Sequence, residues 1–318
     1  MNIGLDMMGG DFAPLEAARG VRLYLSEHPG NNLILFLFGD EQQLSSILTQ
    51  EGIPAEKIKI VHAPQVISMH EHPTKALKEK QQSSIAVGFQ YLATKKIDAF
   101  ISAGNTGAML VGAMFSIKVI EGILRPTIAT MMPKENGQTG IVLDVGLNAD
   151  CKPENLNQFA ILGTLYAKYI VGIENPRAGL LNVGEEEGKG NILAQAAYSL
   201  LKQNNQINFI GNIEGRDIFL NKADVMICEG FTGNIVLKMA ESIYDITHAK
   251  QIENPFLDRL NFEYYGGTPV LGVAKPVIIG HGISQNRAFK NMISVAAKMI
   301  ESDLMTKIKA SFTGNTNA

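Results

Sequence analysis

The amino-acid sequence predicts an α/β protein built around a largely parallel β-sheet. Three observations lead to this fold class: short runs of Ile, Val, Leu and Phe recur along the chain, longer amphipathic segments separate them, and glycine clusters stand where a run meets a segment. Most runs are continuously apolar rather than alternating, as expected of strands buried on both faces. Strand and helix therefore alternate along the chain, a pattern typical of the α/β class.

The expected elements follow in chain order. The apolar runs predict strands at residues 3–5, 33–38, 58–61, 99–101, 127–131, 141–145, 179–182, 208–210, 224–227 and 276–279. The amphipathic segments predict helices at residues 14–26, 84–95, 157–169, 191–202, 234–246 and 288–301. The Met-rich segment at 108–117 is expected to be a core helix, although its flexible side chains could also adapt to a lipid chain.

Length bounds the domain organisation. A chain of 318 residues exceeds the ~250–300 residues at which single cores stop growing, so it forms two domains or one large α/β unit. No internal repeat or Pro/Ser-rich linker marks a boundary, so we expect one catalytic unit over 1–318, with two closely packed subdomains as the alternative. Residues 248–265 break the rhythm as an excursion, and the polar tail at 311–318 is expected to fray.

Composition excludes several classes of protein. The formal net charge of −3 lacks the basic excess that nucleic-acid binding needs, so nucleic acid is not an expected partner. An apolar content of 46% argues against disorder, and Cys151 and Cys228 form no CxxC pair or disulfide framework. No window approaches the ~18 apolar residues of a membrane span, and Asp6 interrupts any signal-peptide core. We therefore expect a cytoplasmic protein.

Glycine accounts for 31 of the 318 residues, above the usual ~7%, and its position is informative. Glycine clusters follow predicted strands at residues 7–11, 102–107, 182–191, 211–217, 229–234 and 280–282. In a parallel sheet such junctions lie at the carboxyl edge, where glycine and helix N-termini favour anionic ligands. Ordinary tight turns are the alternative for any single loop.

Specific side chains add chemistry to these junctions. Asn105, Thr106 and Asn234 offer short neutral donors, while Lys189 and Arg216 are candidate cations for a dianion. Two further residues have interpretations that stay open. His281, between two glycines, is either catalytic or structural, and Asp144 either binds ligand or caps its turn.

Familiar site motifs are absent. No GxGxxG follows a strand, the GxxxGK at 184–189 is one residue short of a P-loop, and no GxSxG occurs, which disfavours nucleotide-binding and serine-hydrolase chemistry. In His70-Glu71-His72, the two histidines are two positions apart and would not lie on the same face of a helix. A solvated helix start is therefore preferred over a metal site. The carboxylates of 185–187 likewise suggest a solvated loop. No metal or cofactor is expected.

Taken in order, the junction motifs resemble those of the PlsX family of acyl-acyl carrier protein:phosphate acyltransferases, which act in bacterial phospholipid synthesis. The matching segments cover nearly the whole chain and lie at residues 6–14, 102–108, 143–146, 150–153, 181–191, 211–217, 265–267, 281–282 and 286–289.

The resemblance implies a three-layer α/β/α fold like that of isocitrate and isopropylmalate dehydrogenases and phosphotransacetylases, in a homodimer. It also implies transfer of a long acyl group from acyl carrier protein to inorganic phosphate, with the acyl phosphate passing to a membrane glycerol-3-phosphate acyltransferase. Phosphate would be the nucleophile, so the protein would hold a dianion against the thioester and stabilise an oxyanion.

Roles for individual residues are expectations within that mechanism. Lys189 and the Asn105/Thr106 loop would hold phosphate, Asn234 would lie near the oxyanion, and His281 would orient phosphate or protonate the leaving thiolate. The remaining phosphate-binding positions are Gly104, Gly107, Asp144, Gly184, Arg216 and Gly233.

The sequence departs from the family in two places. Ile279 and Gly280 stand where relatives usually have Lys and a small residue before the His-Gly pair, and the excursion after Ile246 is shorter and less basic. Since that excursion is the natural candidate for peripheral attachment to the inner face of the membrane, such attachment is in doubt. An acidic carrier protein would still need a basic patch on this chain. Lys75, Lys78 and Lys80 are candidates for that patch; alternatively, they form a solvated helix face.

Three other functions compete with this one. A short-chain phosphotransacetylase would use acyl-coenzyme A, a dehydrogenase would need nucleotide and metal sites that the motifs do not supply, and a non-enzymatic phosphate or acyl-chain sensor would keep only the binding loops.

Overall fold

The computed structural model describes residues 1–313 and forms two compact units. Unit 1 consists of Met1–Ile120 and Glu263–Met305, so it contains an early and a late part of the chain. Unit 2 consists of Glu121–Phe262 and the described residues from Thr306 onward. The last five residues of the predicted tail, 314–318, lie outside the described chain, whereas its first three belong to a helix.

In chain order the elements are β1 (Asn2–Asp6), α1 (Leu15–Glu27), β2 (Ile34–Gly39), α2 (Glu41–Gln50), β3 (Ile58–His62), α3 (Pro73–Glu79), α4 (Ser84–Ala93), β4 (Ala99–Ser102), α5 (Thr106–Gly112), β5 (Thr127–Pro133), β6 (Thr139–Leu143), α6 (Pro153–Tyr166), β7 (Arg177–Asn182), α7 (Ile192–Gln203), β8 (Asn208–Glu214), β9 (Val225–Ile227), α8 (Gly230–Ala249), α9 (Pro255–Asp258), β10 (Thr268–Leu271), β11 (Val277–Ile279), α10 (Asn286–Glu301) and α11 (Leu304–Thr313). Helices α5 and α6 each continue into a π-helical turn, Ala113–Ile117 and Ala167–Val171.

The sheet of unit 1 has the strand order β3-β2-β1-β4-β11-β10. All neighbouring strands are parallel except β10 and β11, so the carboxyl ends of β1, β4 and β11 lie at one edge. Helix α1 packs on α10, and α4 packs on β1, β2 and β4. Phe38, Phe89 and Phe100 form edge-to-face ring contacts in this core.

The sheet of unit 2 has the order β5-β6-β9-β7-β8, in which only β5 and β6 are antiparallel. The carboxyl ends of β6, β9, β7 and β8 therefore share one edge. Helix α6 packs on β9 and on α7. At the amino ends of these strands, the fully buried Lys134 donates to Asp224, and Arg177 donates to the same carboxylate at 2.9 and 3.0 Å. Burial alone would raise the pKa of Asp224, but these donors hold it down to about 2.

Local sequence explains where several helices begin. Asp40, Ser83 and Asn191 precede α2, α4 and α7, and each side chain accepts a backbone N–H of the first turn. Met109 on α5 is fully buried, whereas Met114 and Phe115 in the following π-helical turn are exposed, so the Met-rich segment forms core only in part. The short helix α2, which buries only Leu44 and Leu48, was not predicted.

The alternating α/β pattern with largely parallel strands is confirmed, and every predicted strand lies within or overlaps an observed one. The junction at residues 211–217 was misread: the strand expected to end at residue 210 continues through Glu214, because Gly211, with φ of +95°, forms a bulge where β8 shifts register against β7. Strand β10, which is antiparallel and contains Pro269, was missed.

The excursion expected at residues 248–265 begins where α8 ends and contains only the short helix α9 and a 3₁₀ turn at Phe262–Tyr264. Arg259 fixes it to the turn between β5 and β6, since its guanidinium donates to the carbonyls of Gly137 and Gln138 at 2.7 and 2.9 Å. Within residues 1–313, the structure contains no helix with the length and hydropathy needed to cross a membrane.

Candidate functional site

The glycine loops of unit 1 meet at the carboxyl edge of its sheet. The loops after β1, β4 and β11 are joined by backbone hydrogen bonds, from Asp11 N to Gly282 O at 2.7 Å and from Gly280 N to Ser102 O at 2.8 Å. The close grouping that the sequence predicted for residues 7–11, 102–107 and 280–282 is thus observed within this unit.

A buried carboxylate lies beneath these loops. Asp6, at the end of β1, is 1% exposed and accepts hydrogen bonds from Ser102 Oγ at 2.6 Å and from Met8 N at 3.0 Å. Burial raises the pKa of the Asp6 carboxyl against these hydrogen bonds. Ser102 Oγ in turn accepts the Gly104 N–H at 2.9 Å. Asp6 therefore positions the loop that carries Gly104, and sequence analysis missed it because an acidic residue at a strand end is also a common turn former.

Asn105 is occupied by protein partners. Its Oδ1 accepts the Ala108 N–H at 2.9 Å and caps α5, while its Nδ2 donates to the carbonyls of Ser68, Met69 and Glu71 at 2.9 to 3.3 Å. The residue is 4% exposed. This arrangement favours a positioning role, in which Asn105 ties the segment between β3 and α3 to the loop after β4.

The other candidates of unit 1 surround Asn105. Thr106 is exposed, whereas a Cβ at Gly107 would overlap the ring of Pro73, so Gly107 permits α3 and α5 to approach closely. His281 is half-buried, and its Nδ1 lies 3.4 Å from the Ile283 backbone nitrogen. Glu71 binds Lys80 at 2.7 Å and accepts the Ser68 N–H, so the His-Glu-His segment is organised by an ion pair.

In unit 2, Asp144 organises the turn after β6. Its carboxylate is fully buried and accepts the backbone N–H groups of Ile128, Leu147 and Asn148 and the Asn148 side-chain amide at 2.6 to 3.4 Å. Burial raises the pKa of Asp144 against these donors. Because its oxygens are already used by the protein, the geometry favours the turn-organising interpretation over direct ligand binding.

Helix α8 begins directly on this turn. A Cβ at Gly233 would overlap the carbonyl oxygen of Asp144, and Gly230 N donates to Asn148 O at 2.7 Å. Residues 230–234, expected to be a loop, therefore form the first turn of α8, where glycine provides close packing rather than flexibility. Asn234 projects from this turn beside Gly146, is exposed and has no side-chain hydrogen bond within the described residues 1–313.

The loop at residues 183–191, after β7, is braced from three sides. Asn182 Nδ2 donates to Lys189 O and to Asn212 Oδ1, both at 3.1 Å, and Asn212 Nδ2 donates to Glu186 O at 2.8 Å. Gln195 on α7 donates to the carbonyls of Gly188 and Gly190 at 3.0 Å. The loop is held in one shape although it is exposed to solvent.

Lys189 is the cation that this loop presents. Gly184 is buried against its aliphatic stem, and within residues 1–313 its Nζ has no ion-pair partner. Two neighbouring carboxylates are paired elsewhere, Glu185 with Lys222 and Glu187 with Lys202. Lys189 is therefore available to an anion in a loop whose negative charge is partly balanced.

Arg216 differs from Lys189. Its Nε lies 2.8 Å from Glu214 in an ion pair, although its side chain is 75% exposed. Carboxylate oxygens of Glu185, Glu214 and Asp217 lie within 4.8 Å of one another, a grouping that the sequence did not indicate. Lys222 binds both Glu185 and Asp217, and Arg216 binds Glu214, so two cations already contact the three carboxylates.

The cysteines of unit 2 are poor nucleophiles. Burial raises the pKa of the Cys151 thiol to about 11, and burial also raises the pKa of Cys228 well above its ordinary value. Neither thiol is ionised near neutral pH, so neither is suited to forming a covalent acyl intermediate.

The predicted candidates thus fall into two groups, each described within its own unit. Unit 1 contains Gly104, Asn105, Thr106, Gly107 and His281, and unit 2 contains Asp144, Gly184, Lys189, Arg216, Gly233 and Asn234. Sequence reasoning missed the residues whose side chains hold the site loops in place, chiefly Asp6, Asn182 and Asn212. Asn182 and Asn212 each end or follow an apolar strand run, which is the signal that could have identified them.

The chain is similar to known proteins along nearly its whole length. Residues 1–307 match the family model described as "Fatty acid synthesis protein". A phosphate acyltransferase of Dictyoglomus turgidum is 42% identical, with 97% of this chain and 96% of the relative covered. A phosphate acyltransferase of Halothermothrix orenii is 44% identical, with 97% and 98% covered.

Solved structures share the fold. A phosphotransacetylase from Streptococcus pyogenes has a TM-score of 0.68 at 18% identity, covering 95% of this chain and 94% of that one. A phosphotransacetylase from Staphylococcus aureus has a TM-score of 0.65 at 16% identity, with 94% of each chain covered. The expected likeness to phosphotransacetylases is thus confirmed for the fold.

Proposed function

The chain belongs to the fatty acid synthesis protein family, and from this membership we propose that it transfers a long-chain acyl group from the thioester of acyl carrier protein to inorganic phosphate. The relatives at about 40% identity are named phosphate acyltransferases. The junction motifs are the reason for proposing acyl carrier protein as the donor and a long acyl chain as the transferred group.

The observation that carries the proposal is Lys189 in its braced loop. A cation without a partner in the described chain, held by a loop that Asn182, Asn212 and Gln195 fix, suits a small dianion such as phosphate. The loop needs little ordering when the anion binds, because its shape is already set.

The chemistry requires no protein nucleophile. An oxygen of HPO₄²⁻ forms a bond to the thioester carbonyl carbon, the carbonyl oxygen becomes an oxyanion, and collapse of this intermediate breaks the carbon–sulfur bond. The proton that phosphate loses ends on the leaving sulfur, so the products are an acyl phosphate and a free thiol. The un-ionised state of Cys151 and Cys228 supports phosphate rather than cysteine as the attacking group.

We assign roles within this reaction to the polar residues of each unit. In unit 2, Lys189 and the loop containing Gly184 hold phosphate, Asn234 donates to the oxyanion, and Gly233 and Asp144 set the backbone that presents Asn234. Arg216 adds positive charge near that edge. In unit 1, His281 orients phosphate or protonates the leaving thiolate, and Asn105 positions Gly104, Thr106 and Gly107.

The test is direct. Purified protein is incubated with palmitoyl-acyl carrier protein and labelled phosphate, and acyl phosphate is trapped with hydroxylamine, with a phosphate-free reaction correcting for direct aminolysis of the thioester. Phosphate-dependent hydroxamate is the expected result. Its absence with palmitoyl, hexanoyl and acetyl thioesters alike would remove the enzymatic proposal and leave the sensor function.

A short-chain phosphotransacetylase is the second candidate, favoured by the fold shared with those enzymes. It predicts faster turnover of acetyl-coenzyme A than of palmitoyl-acyl carrier protein. Comparing the two donors in the same hydroxamate assay separates the candidates.

We also propose that two copies associate through α8. Phe231, Ile235, Met239 and Ile246 project from this 20-residue helix as an exposed apolar face, and only Gly230, Gly233 and Ala240 of the helix are buried within the described chain. Sedimentation analysis should show a dimer that Met239→Asp dissociates and that His248→Asp, at an exposed position on the opposite side of the same helix, leaves intact. A wild-type monomer would contradict this.

The carrier protein and the membrane are the remaining proposed partners. Lys75 and Lys78 on α3 are exposed and could contact an acidic carrier protein, whereas Lys80 is already paired with Glu71. We propose that the protein works in the cytoplasm and delivers acyl phosphate to a membrane glycerol-3-phosphate acyltransferase. Co-flotation with anionic vesicles tests peripheral attachment, and charge reversal at Lys75 and Lys78 tests carrier-protein binding.

A further inference from the structure

Unit 2 contains an apolar cavity beside the Lys189 loop. It has a volume of about 360 Å³, within the ~300–1,000 Å³ range of small-molecule sites. Its walls come from the end of β7, the start of α6, the first turn of α7 and the first turns of α8. The apolar lining is formed chiefly by Leu156, Leu180, Leu181, Leu193, Ala194 and Val236.

The polar groups of this cavity do not suit a charged ligand. No Lys, Arg or His side chain is among the described residues that line it, and its only carboxylate is Glu229. Glu229 Oε1 is already engaged as the cap of α8, since it accepts both the backbone N–H and the hydroxyl of Thr232. The Cys228 thiol, which also lines the cavity, is un-ionised because burial raises its pKa. The cavity therefore favours an uncharged, apolar group.

The mouth of the cavity connects it to the proposed chemistry. Asn182, Gly190 and Asn191 form part of the lining, and all three flank or belong to the braced loop that presents Lys189. Val183, at the rim, is 79% exposed, an unusual solvent exposure for an apolar side chain in a fixed loop. A molecule with an apolar tail in the cavity would place its other end beside Lys189.

A second cavity of about 510 Å³ adjoins the first. The two share Asn191, Leu193 and Glu229 in their linings, so Leu193 forms part of the wall between them. Ile192, which also lines the second cavity, is 89% exposed. The second cavity is more polar, because Asp150, Asn191 and Glu229 belong to its lining, so the apolar lining is concentrated in the first cavity.

We propose that the cavity lined by Leu193, Ala194 and Val236 binds the alkyl chain of the acyl substrate and thereby sets chain-length preference. This inference rests on the proposed acyl transfer to phosphate. Each methylene group that leaves water for the cavity strengthens binding about fourfold. Selection for long chains therefore depends on how many methylenes the cavity accepts, and a side chain that fills it should penalise long substrates while sparing short ones.

The test fills the cavity from two helices. Ala194→Phe on α7 and Val236→Phe on α8 should each lower the ratio of kcat/KM for palmitoyl- over hexanoyl-acyl carrier protein at least tenfold, with the KM for phosphate unchanged. Ala196→Phe is the matched control, because Ala196 is exposed on α7 and is not among the residues lining the cavity. The control should retain the wild-type ratio.

A second measurement covers the case in which a filled variant does not fold. Wild-type protein is photolysed with palmitoyl-acyl carrier protein that carries a diazirine at the chain terminus, and the adducts are mapped by mass spectrometry. Adducts at Leu156, Leu193 or Val236 support the proposal. Adducts confined to other regions overturn it, as does an unchanged chain-length ratio in both folded variants.

Failure of the proposed function gives a different result. If wild-type protein forms no phosphate-dependent acyl phosphate from any donor, the enzymatic proposal fails, whatever the photolabelling shows. If wild type is active but the variants dissociate a dimer without altering chain selectivity, the cavity is a contact surface for a second copy and the acyl-chain assignment is wrong.

Discussion

The backbone of Gly233 in α8 rests on the carbonyl oxygen of Asp144, with no room for a Cβ atom between them. This contact joins the first turn of α8 to the turn that the buried Asp144 carboxylate organises. The position of Asn234, the next residue, is fixed by the same contact. Several properties of the chain can be predicted from this arrangement and from others like it.

Substitution of Gly233 should destabilise the fold. Gly233→Ala forces α8 away from Asp144, and overpacking of this kind costs about 2 kcal/mol in the free energy of unfolding. Urea denaturation measures the change. Gly30→Ala is the control, because its Cβ meets nothing within 4 Å, and its stability should be unchanged or raised by about 0.5 kcal/mol. Equal effects at the two positions would contradict the packing argument.

The buried ion pair at the amino ends of the unit 2 strands should control acid stability. Asp224 has its pKa lowered from 3.8 to about 2, so its ionised form contributes stability that is present above pH 4 and is lost as the pH falls toward 2. Asp224→Asn leaves the buried Lys134 without its counter-charge and should cost about 3 kcal/mol at neutral pH.

The pH dependence of unfolding distinguishes this pair from an exposed one. In Asp224→Asn, the loss of stability between pH 4 and pH 2 should shrink relative to wild type. Glu27→Gln, which removes the exposed pair with Lys290, should change stability by less than about 0.5 kcal/mol. Thermal or urea unfolding across this pH range gives both values, and parallel pH profiles for wild type and Asp224→Asn would refute the assignment.

Loss of Lys189 should weaken phosphate use. Lys189→Ala removes the cation of the braced loop and should lower kcat/KM for phosphate by about 100-fold, the value of a charge-assisted contact of ~2–3 kcal/mol. Lys309→Ala, at an exposed position on α11, should behave as wild type. An unchanged dependence of the rate on phosphate concentration in Lys189→Ala would remove the assignment.

Asn212 should act through the loop rather than through substrate. It is 3% exposed and holds Asn182 and the Glu186 carbonyl, so Asn212→Ala frees the loop without removing Lys189. The KM for phosphate should rise about tenfold while kcat changes less, as expected when the two hydrogen bonds that order the loop are lost at a net cost of ~1.4 kcal/mol. Higher proteolytic cleavage within residues 183–191 would be the structural signature, and an equal fall in kcat with no change in KM would instead indicate a chemical role.

His281 remains open between catalysis and structure, and its variant decides between them. His281→Gln keeps a polar side chain but cannot transfer a proton near neutral pH, so kcat should fall by about 100-fold or more if His281 protonates the leaving thiolate. The far-ultraviolet circular dichroism should match wild type. Full turnover by a folded His281→Gln would make the residue structural.

Sequence patterns predicted the elements that apolar runs define, and missed those that depend on tertiary partners. Strand runs, glycine clusters and Lys189 stand out because burial on both faces and exposed charge leave direct marks in sequence. Gly211 was misread because a bulge and a turn both use glycine at positive φ. Gly233 was taken for a loop residue because close packing and flexibility select the same amino acid.

The candidate site shows the same limit. Asn105 was assigned to phosphate from its residue type, yet its amide is used by the carbonyls of Ser68, Met69 and Glu71, which lie more than 30 positions earlier. Such long-range hydrogen bonds have no signature in a single sequence. The cavity lined by Leu193 and Val236 was also invisible, because apolar residues at helical spacing indicate a buried face whether or not that face leaves a space.

Unit 1 is built from two separate segments of the chain, so some of its strands are synthesised much later than others. Strand β4 pairs with β1 on one side and with β11 on the other, but β11 emerges from the ribosome only after the whole of Glu121–Phe262. Until Val277–Ile279 is made, one edge of β4 lacks its native neighbour, and an open apolar strand edge invites association between nascent chains. The growing chain should therefore depend on chaperones throughout translation of this long interval, and truncation before β11 should yield insoluble protein.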